Sequence, residues 1–377
     1  MEFATRLSNV EESATFKYSS LAKKEGIINL TIGRTNFTTP RLITRAAVSA
    51  LENGRVHYTP TRGIPELREM LAKKLKRENN IPDIGPDNIL VSAGAKQIIF
   101  EAVMALIGKG DKVAMPNPSW VSYEQIVNLA EGEIIWLPLK HENDFIPDEE
   151  FLSALENSSP KLIMLNSPNN PTGAVYPEKI IREIVDIAER KDCWLLFDEI
   201  YEKIIYEGKH FSAGSIYPKT ITVNGFSKEF SMTGWRLGYC ACPNPDLIEK
   251  MNLIQSQTVS CATSFVQYGA LAAFKEEVAE ERDRMITELK ERRDRFVKGM
   301  NGLFETKVNP AGAFYLFPHL GDIDDLAMAD KLLSNGVGLI PGSPFGSQGK
   351  GCLRISYGAV SLDEIDVALE RIKATLA

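Results

Sequence analysis

Apolar residues change their spacing along this chain, and the changes mark its elements. Val10, Ala14, Phe16, Leu21 and Ala22 recur among charges over residues 8–25, which predicts an amphipathic N-terminal helix. "IINLTIG" after it predicts a short strand ending at Gly33. Helix-period patterns then follow at about 41–52, 65–79, 95–107, 120–130, 177–190 and 245–257. Between them lie seven short β-rich runs, "NILVSAG", "KVAMP", "EIIWLPL", "KLIMLNSP", "CWLLFDE", "TITVNG" and "RLGYCAC". Strands that are apolar throughout, alternating with helices, predict an α/β fold whose mostly parallel seven-stranded sheet carries helices on both faces.

The texture changes after residue 276. A long charged helix, "EEVAEERDRMITELKERRDRFVKGM", precedes "AGAFYLFP", a helix near 324–335, "VGLIPG", "GCLRISYG" and a last helix from 361. This order predicts a smaller α+β domain with its own small sheet, the charged helix acting as a connector without a binding role. The glycine-rich "PGSPFGSQGKG", residues 341–351, is the segment expected to form a mobile loop.

Composition narrows the function. A chain of 377 residues with 44% hydrophobic and 25% charged residues builds a large core, and a net charge of -7 disfavours nucleic acid as a partner. The five cysteines form no C-x-x-C pair and read as reduced thiols, and none of the four histidines has a second His or Cys at metal-ligand spacing. No metal site is expected. Without an apolar leader or a membrane-length run, the protein is expected in the cytoplasm.

In open α/β sheets, ligands sit beyond the carboxyl ends of the strands, so the polar residues there are the candidates. Gly94 follows a strand and opens a helix, which suits a phosphate or answers only a steric need. "SPNNPTG" holds Asn166, Asn169 and Asn170 between prolines, as turn chemistry or as a rigid amide for a ligand. Asp198 ends "CWLLFD" as a helix cap or as a buried carboxylate that needs a cation. Lys228 and Arg236 lie in "TVNGFSKEFSMTGWRLGY" among Phe226, Met232 and Trp235, where desolvation favours a neutral, nucleophilic lysine and a guanidinium that stays charged. Arg354, alone on its face of "CLRISYG", either pairs with a surface acid or clamps a carboxylate.

Together "SPNNPTG", "DEIY", "NGFSK", "MTGWRLGY" and "LRISYG", with "HYTPTRGIPELRE", "SAGAKQ" and "NPSWVSY", resemble the pyridoxal-phosphate-dependent aminotransferases of fold type I, class I, over essentially the whole chain. The similarity is closest to the prokaryotic aspartate aminotransferase branch. It implies a large cofactor-binding domain over 41–276 and a small domain made of 1–40 with 277–377. Pyridoxal 5'-phosphate is the cofactor it implies. Lys228 would be the Schiff-base lysine and the base, Asp198 the partner of the pyridinium nitrogen, and Tyr201 with Asn170 donors to the cofactor's phenolate oxygen. Trp120 would stack on the ring, and Gly94, Ala95, Lys96, Ser227 and Arg236 would hold the phosphate, with Tyr58 reaching it from the neighbouring subunit of a homodimer.

Arg354, Asn170, Trp120 and the Gly33 backbone would take the amino-acid or 2-oxo-acid substrate, and Lys96 its distal carboxylate. The implied activity moves the amino group of aspartate or a related amino acid to 2-oxoglutarate. Alternatives are an aromatic, broad-specificity or prephenate aminotransferase and a carbon-sulfur lyase on the same fold. Two departures bear on it: "GRTNF" stands where relatives read Gly-Glu-Pro-Asp-Phe, and Gly225 stands where many carry serine.

Overall fold

The computed structural model describes residues 3–301, 303 and 308–376. Positions 1–2, 302, 304–307 and 377 of the expected small domain lie outside the described residues. The strands are β1 (Ile28–Asn29), β2 (Ile89–Ser92), β3 (Lys112–Asn117), β4 (Glu133–Pro138), β5 (Leu162–Asn166) and β6 (Trp194–Asp198). β7 (Thr220–Gly225), β8 (Gly238–Ala241), β9 (Tyr315–Leu316), β10 (Val337–Gly338), β11 (Ile340–Pro341) and β12 (Leu353–Ser356) follow.

The seven runs read from the sequence form one sheet in the order β2-β8-β7-β6-β5-β3-β4. It is parallel except where β8 pairs antiparallel with β2 and β7. Every residue of β2, β5, β7 and β8 is buried, the mark of a sheet covered on both sides, whereas the edge strand β4 is largely half-buried. Alternation sends Met164, Leu196 and Val223 to one face with Ile98, Tyr123 and Val127. Leu195 and Phe197 go to the other face with Ile181 and Ile184, and that cluster continues to Phe314 and Ile355 near the C-terminus.

The six helices expected between the strands appear as Arg41–Glu52, Pro65–Glu78, Ala95–Leu106, Val121–Leu129, Glu178–Arg190 and Pro245–Thr258. The N-terminal helix is shorter than the pattern predicts: a 3-10 turn at Thr5–Asn9 and an α-helix only at Ala14–Leu21. Tertiary bonds hold the intervening segment out of helix. Glu11 N–H donates to Gln125 Oε1 at 2.8 Å and Asn128 Nδ2 donates to Asn9 O at 2.9 Å.

β9, β12 and β11 form a small antiparallel sheet, and β1 pairs in parallel with β10, joining the N-terminal segment to the C-terminal part. The charged helix, Glu276–Met300, is more than a solvated connector. Arg292 and Arg293 are buried; Arg292 Nη1 donates to Asn36 Oδ1 at 2.9 Å and Gly358 O at 2.8 Å, and Arg293 Nη1 to Glu207 Oε1 at 2.7 Å. Residues 341–351, expected as a mobile loop, are a packed one. Phe345 is buried, Ser343 is bound through N–H and Oγ to Asp325 at 2.7 and 2.6 Å, and Asn117 bonds to Ser347 and Gln348. No helix among the described residues is long and apolar enough to cross a membrane.

Candidate active site

The polar ends of β2, β5 and β6 open into one cleft of about 560 Å³. It gathers Gly33, Ala95, Lys96, Trp120, Asn170, Asp198, Tyr201, Ser227, Lys228, Arg236 and Arg354 from segments far apart in sequence. Gly94 stands behind this lining, and Tyr58 lies outside it with 89% of its surface exposed.

Alternation along β6 puts Asp198 on the Leu196 face, toward Tyr123. Tyr123 Oη donates to Asp198 Oδ2 at 2.7 Å, and Ile200 N–H donates to Oδ1 at 3.1 Å. Burial pushes the Asp198 pKa up to about 6; Glu199 adds to the rise, while those two hydrogen bonds and Lys228 oppose it. Asp198 is thus a buried carboxylate suited to a cation rather than a helix cap. Tyr201 Oη meets Tyr315 Oη at 2.8 Å, and burial holds its pKa well above the usual phenol range.

The tight asparagine turn divides its side chains. Asn169 Oδ1 accepts from Thr172 N–H at 3.2 Å and Oγ1 at 2.9 Å, which is turn chemistry. Asn166 orders the next residue, its Oδ1 accepting from Asn170 N–H at 2.8 Å and its Nδ2 donating to Asp198 O at 2.9 Å. The Asn170 side chain is left for the cleft, where its Oδ1 accepts from Arg354 Nη1 at 3.2 Å.

Arg354 is 1% exposed. Its Nη2 donates to Thr31 O at 2.6 Å, its Nε has no partner, and it stacks between the Tyr315 and Phe345 rings at 4.9 and 5.2 Å. Among the described residues no carboxylate forms an ion pair with it. A buried cation without a counter-ion costs several kcal/mol, so the site is built for an anion that arrives with the ligand.

Lys228 follows β7 and donates through Nζ to Gly33 O. Burial first, then the charges of Arg354 and Arg236, lower its pKa to about 8, with Asp198 opposing. About a tenth of the amine is therefore neutral at pH 7, far more than for a lysine at its ordinary value. Arg236, at φ 54, folds back to donate to Thr233 O at 3.0 Å and lies against Gly94, where an added Cβ would come within 2.6 Å of Arg236 Nη2. Gly94, at φ 96, opens the helix whose first N–H groups, at Ala95 and Lys96, have no intrahelical acceptor. With Arg236 and Ser227 they make an anion cradle.

Lys96 stands at the mouth, its Nζ 4.7 Å from the Trp120 ring and 5.9 Å from the exposed Phe16 ring. Of the departing "GRTNF" residues only Arg34 lines the cleft. Thr35 is bonded to Ser231 at 2.6 Å and Asn36 to Arg292. Gly225 packs on its β8 partner: a Cβ there would sit 3.0 Å from Gly238 Cα and 3.1 Å from Leu237 O, so close backbone approach accounts for the missing serine.

Tyr123, Tyr315, Thr15 and Phe16 also line the cleft without having been singled out as site residues in the sequence. For Tyr123 a signal existed, because it lies three residues beyond Trp120 at a helix start and so shares its face.

A family model described as "Aminotransferase class I and II" matches residues 25–372. A protein named "Probable aspartate aminotransferase" from Methanocaldococcus jannaschii is 42% identical, with 98% of each chain covered. An "Aspartate/prephenate aminotransferase" from Thermus thermophilus is 37% identical, again with 98% of each chain covered. The solved aspartate aminotransferase of Thermus thermophilus with maleate superposes with a TM-score of 0.94 at 35% identity over 100% of both chains. Fold, cleft and relatives agree, and the chain belongs to the class I and II aminotransferases.

Proposed function

We propose that this aminotransferase uses pyridoxal 5'-phosphate to move the amino group of aspartate, or of a related amino acid, to 2-oxoglutarate by a ping-pong mechanism. The observation that carries the dicarboxylic substrate is the pair of cations in one cleft, buried Arg354 and Lys96 at the mouth, neither of which has an acidic partner among the described residues. The residues present fit the cofactor: the cradle at Gly94 and Arg236 suits its phosphate, the buried Asp198 its ring nitrogen, and the Lys228 amine its aldehyde.

When bound, pyridoxal phosphate supplies the aldehyde that takes the amino group and a cationic ring that draws electrons from Cα. Everything else falls to the chain. Arg354 and Asn170 orient the substrate α-carboxylate, Lys96 holds the distal one, and Lys228 moves the proton at Cα. Asp198 keeps the ring nitrogen protonated, Tyr201 and Asn170 donate to the phenolate oxygen, and Trp120 covers the ring face. Arg236, Ser227 and the N–H groups of Ala95 and Lys96 hold the phosphate.

Tyr123→Phe removes a hydrogen bond that favours the charged Asp198. Asp198 then keeps its proton to higher pH, and the acid limb of kcat/KM against pH is expected to move up by about one unit. Lys96→Ser is expected to lower kcat/KM for aspartate about 10- to 100-fold and to leave phenylalanine within about threefold. Transfer to 2-oxoglutarate from aspartate and from phenylalanine, compared at equal concentration, tests the reading; no turnover of aspartate would sink it. An aromatic or prephenate range is the second reading, favoured by the Phe16 and Trp120 rings beside Lys96.

We further propose a cytoplasmic homodimer with shared active sites. Its support is the exposed apolar group of Val48, Leu51, Val56 and Tyr58 on and after the helix Arg41–Glu52, together with five unpaired cysteines. The pairing of β1 with β10 supports grouping 1–40 with 277–377 as one small domain beside 41–276.

A further inference from the structure

The turn after β6 sends its side chains two ways. Asp198 and Tyr201 line the cleft, while Glu199 and Glu202 point into a buried cluster with Lys74, Asn79, His210 and Ser212. Glu199 accepts from Ser212 Oγ at 2.6 Å and Asn79 Nδ2 at 2.9 Å, and His210 Nε2 lies 2.9 Å from its Oε2. Glu202 accepts from Lys74 Nζ and, at 2.6 Å, from Asn79 Nδ2; Lys74 also donates to Asn79 Oδ1 at 2.9 Å. None of these groups has a part in the chemistry assigned to the cleft.

Charge decides the protonation of this cluster. Two buried carboxylates face one ammonium, so a net negative charge remains unless His210 is protonated. Of the neighbouring cations, Arg282 serves Glu229 at 3.0 Å, and Lys203, at 2.7 Å, shares Glu78 with the exposed Arg77; among the described residues none of the three bonds to Glu199 or Glu202. Leaving one carboxylate uncompensated costs several kcal/mol. Burial works to lower the His210 pKa and Lys74 works the same way, but Glu199 and Glu202 outweigh them and raise it above its ordinary value. The ring also lies 6.2 Å from that of Phe197, the residue before Asp198.

We propose that His210, as an imidazolium, is a positioning residue for the reaction: by neutralising Glu199 on the hidden side of the turn it fixes the place and the charge state of Asp198. The inference rests on the reading of Asp198 as the partner of the cofactor's ring nitrogen. Without the His210 charge, a buried negative charge stands next to Asp198 in the chain and favours its protonated form, which cannot hold a cation. At an effective dielectric of about 20–40 such a charge moves the Asp198 pKa up by about one unit.

The test uses the protein loaded with pyridoxal phosphate. Its first readout is the protonation of the imidazoles by long-range nitrogen-proton NMR, with His210 identified by single substitution of the other three histidines. His210 charged at pH 7 is the expected result, and a neutral ring at pH 7 overturns the proposal even if no His210 variant folds. The second readout is the acid midpoint at which bound cofactor is lost, followed by its absorbance after gel filtration. His210→Gln keeps a donor toward Glu199 without the charge and is expected to raise this midpoint by about one unit. The double variant Glu199→Gln, His210→Gln restores neutrality and is expected to return it to the original value. An unchanged midpoint in the single variant, or a double variant shifted further than the single one, overturns the proposal. The imidazole readout is independent of which amino acid reacts, so failure of aspartate turnover with a charged His210 counts against the substrate assignment alone.

Discussion

Lys228→Ala is expected to lower kcat by about 10⁴-fold or more, because one side chain supplies both the covalent anchor and the base. A readout independent of turnover accompanies it: after borohydride reduction the wild-type chain should carry the mass of one phosphopyridoxyl group, and the variant none. The physical case starts from its seat. Lys228 leaves β7 where that strand packs against Gly238, and its amine is driven toward neutrality by burial and by Arg354 and Arg236. A lowered pKa of about 8 leaves the amine able to lose a proton in the working range and to take one from Cα. Lys228→Arg separates this from a need for positive charge, since a guanidinium does not deprotonate and is expected to be as inactive as alanine. Retained adduct mass in either variant, or activity above about 1% of wild type, would refute the assignment.

The main sheet was legible because its central strands are short, mostly apolar runs that end in a polar residue or glycine, and the helices between them carry regular periods. What failed in the sequence failed for local reasons. The helices Glu149–Glu156 and Ser264–Ala270 are too short for a period to stand out, although Asp148 caps the first by accepting from Glu150 and Phe151 N–H. The N-terminal helix was overrun because Gln125 and Asn128, more than a hundred residues away, capture the backbone before Ala14. The same distance explains the site. Lys228, Asp198, Asn170 and Arg354 sit in motifs with their own pattern, whereas Tyr123 and Tyr315 matter only through partners 75 and 114 residues away. Likewise "GRTNF" reads as three changes at a substrate mouth, yet the fold spends Thr35 and Asn36 on Ser231 and Arg292.

Asp198→Asn is expected to lower kcat/KM about 10³-fold and to weaken cofactor binding, measured as the dissociation constant of pyridoxal phosphate from the otherwise intact protein. An amide keeps the shape of the carboxylate: its Oδ1 can still accept from Ile200 N–H while its Nδ2 donates to Tyr123 Oη, a hydroxyl that can accept as well as donate, so the fold around β6 should be undisturbed. Only the charge is removed. Asp198 has its pKa raised to about 6 by burial, so it is charged at neutral pH but loses that charge as pH falls through about 6. A cation beside it lowers the pKa again, which means that the loaded protein should hold its cofactor to lower pH than the free carboxylate would suggest. In Asp198→Asn that carboxylate no longer titrates, and the acid limb of cofactor retention that it sets should disappear at every pH where the fold persists. Asp198→Glu keeps the charge but shifts it by one methylene away from the Tyr123 bond, so it should retain an acid limb with reduced affinity. If the asparagine variant kept an acid limb like that of wild type, the titrating group would lie elsewhere in the cleft, and the pairing of Asp198 with the ring nitrogen would be wrong.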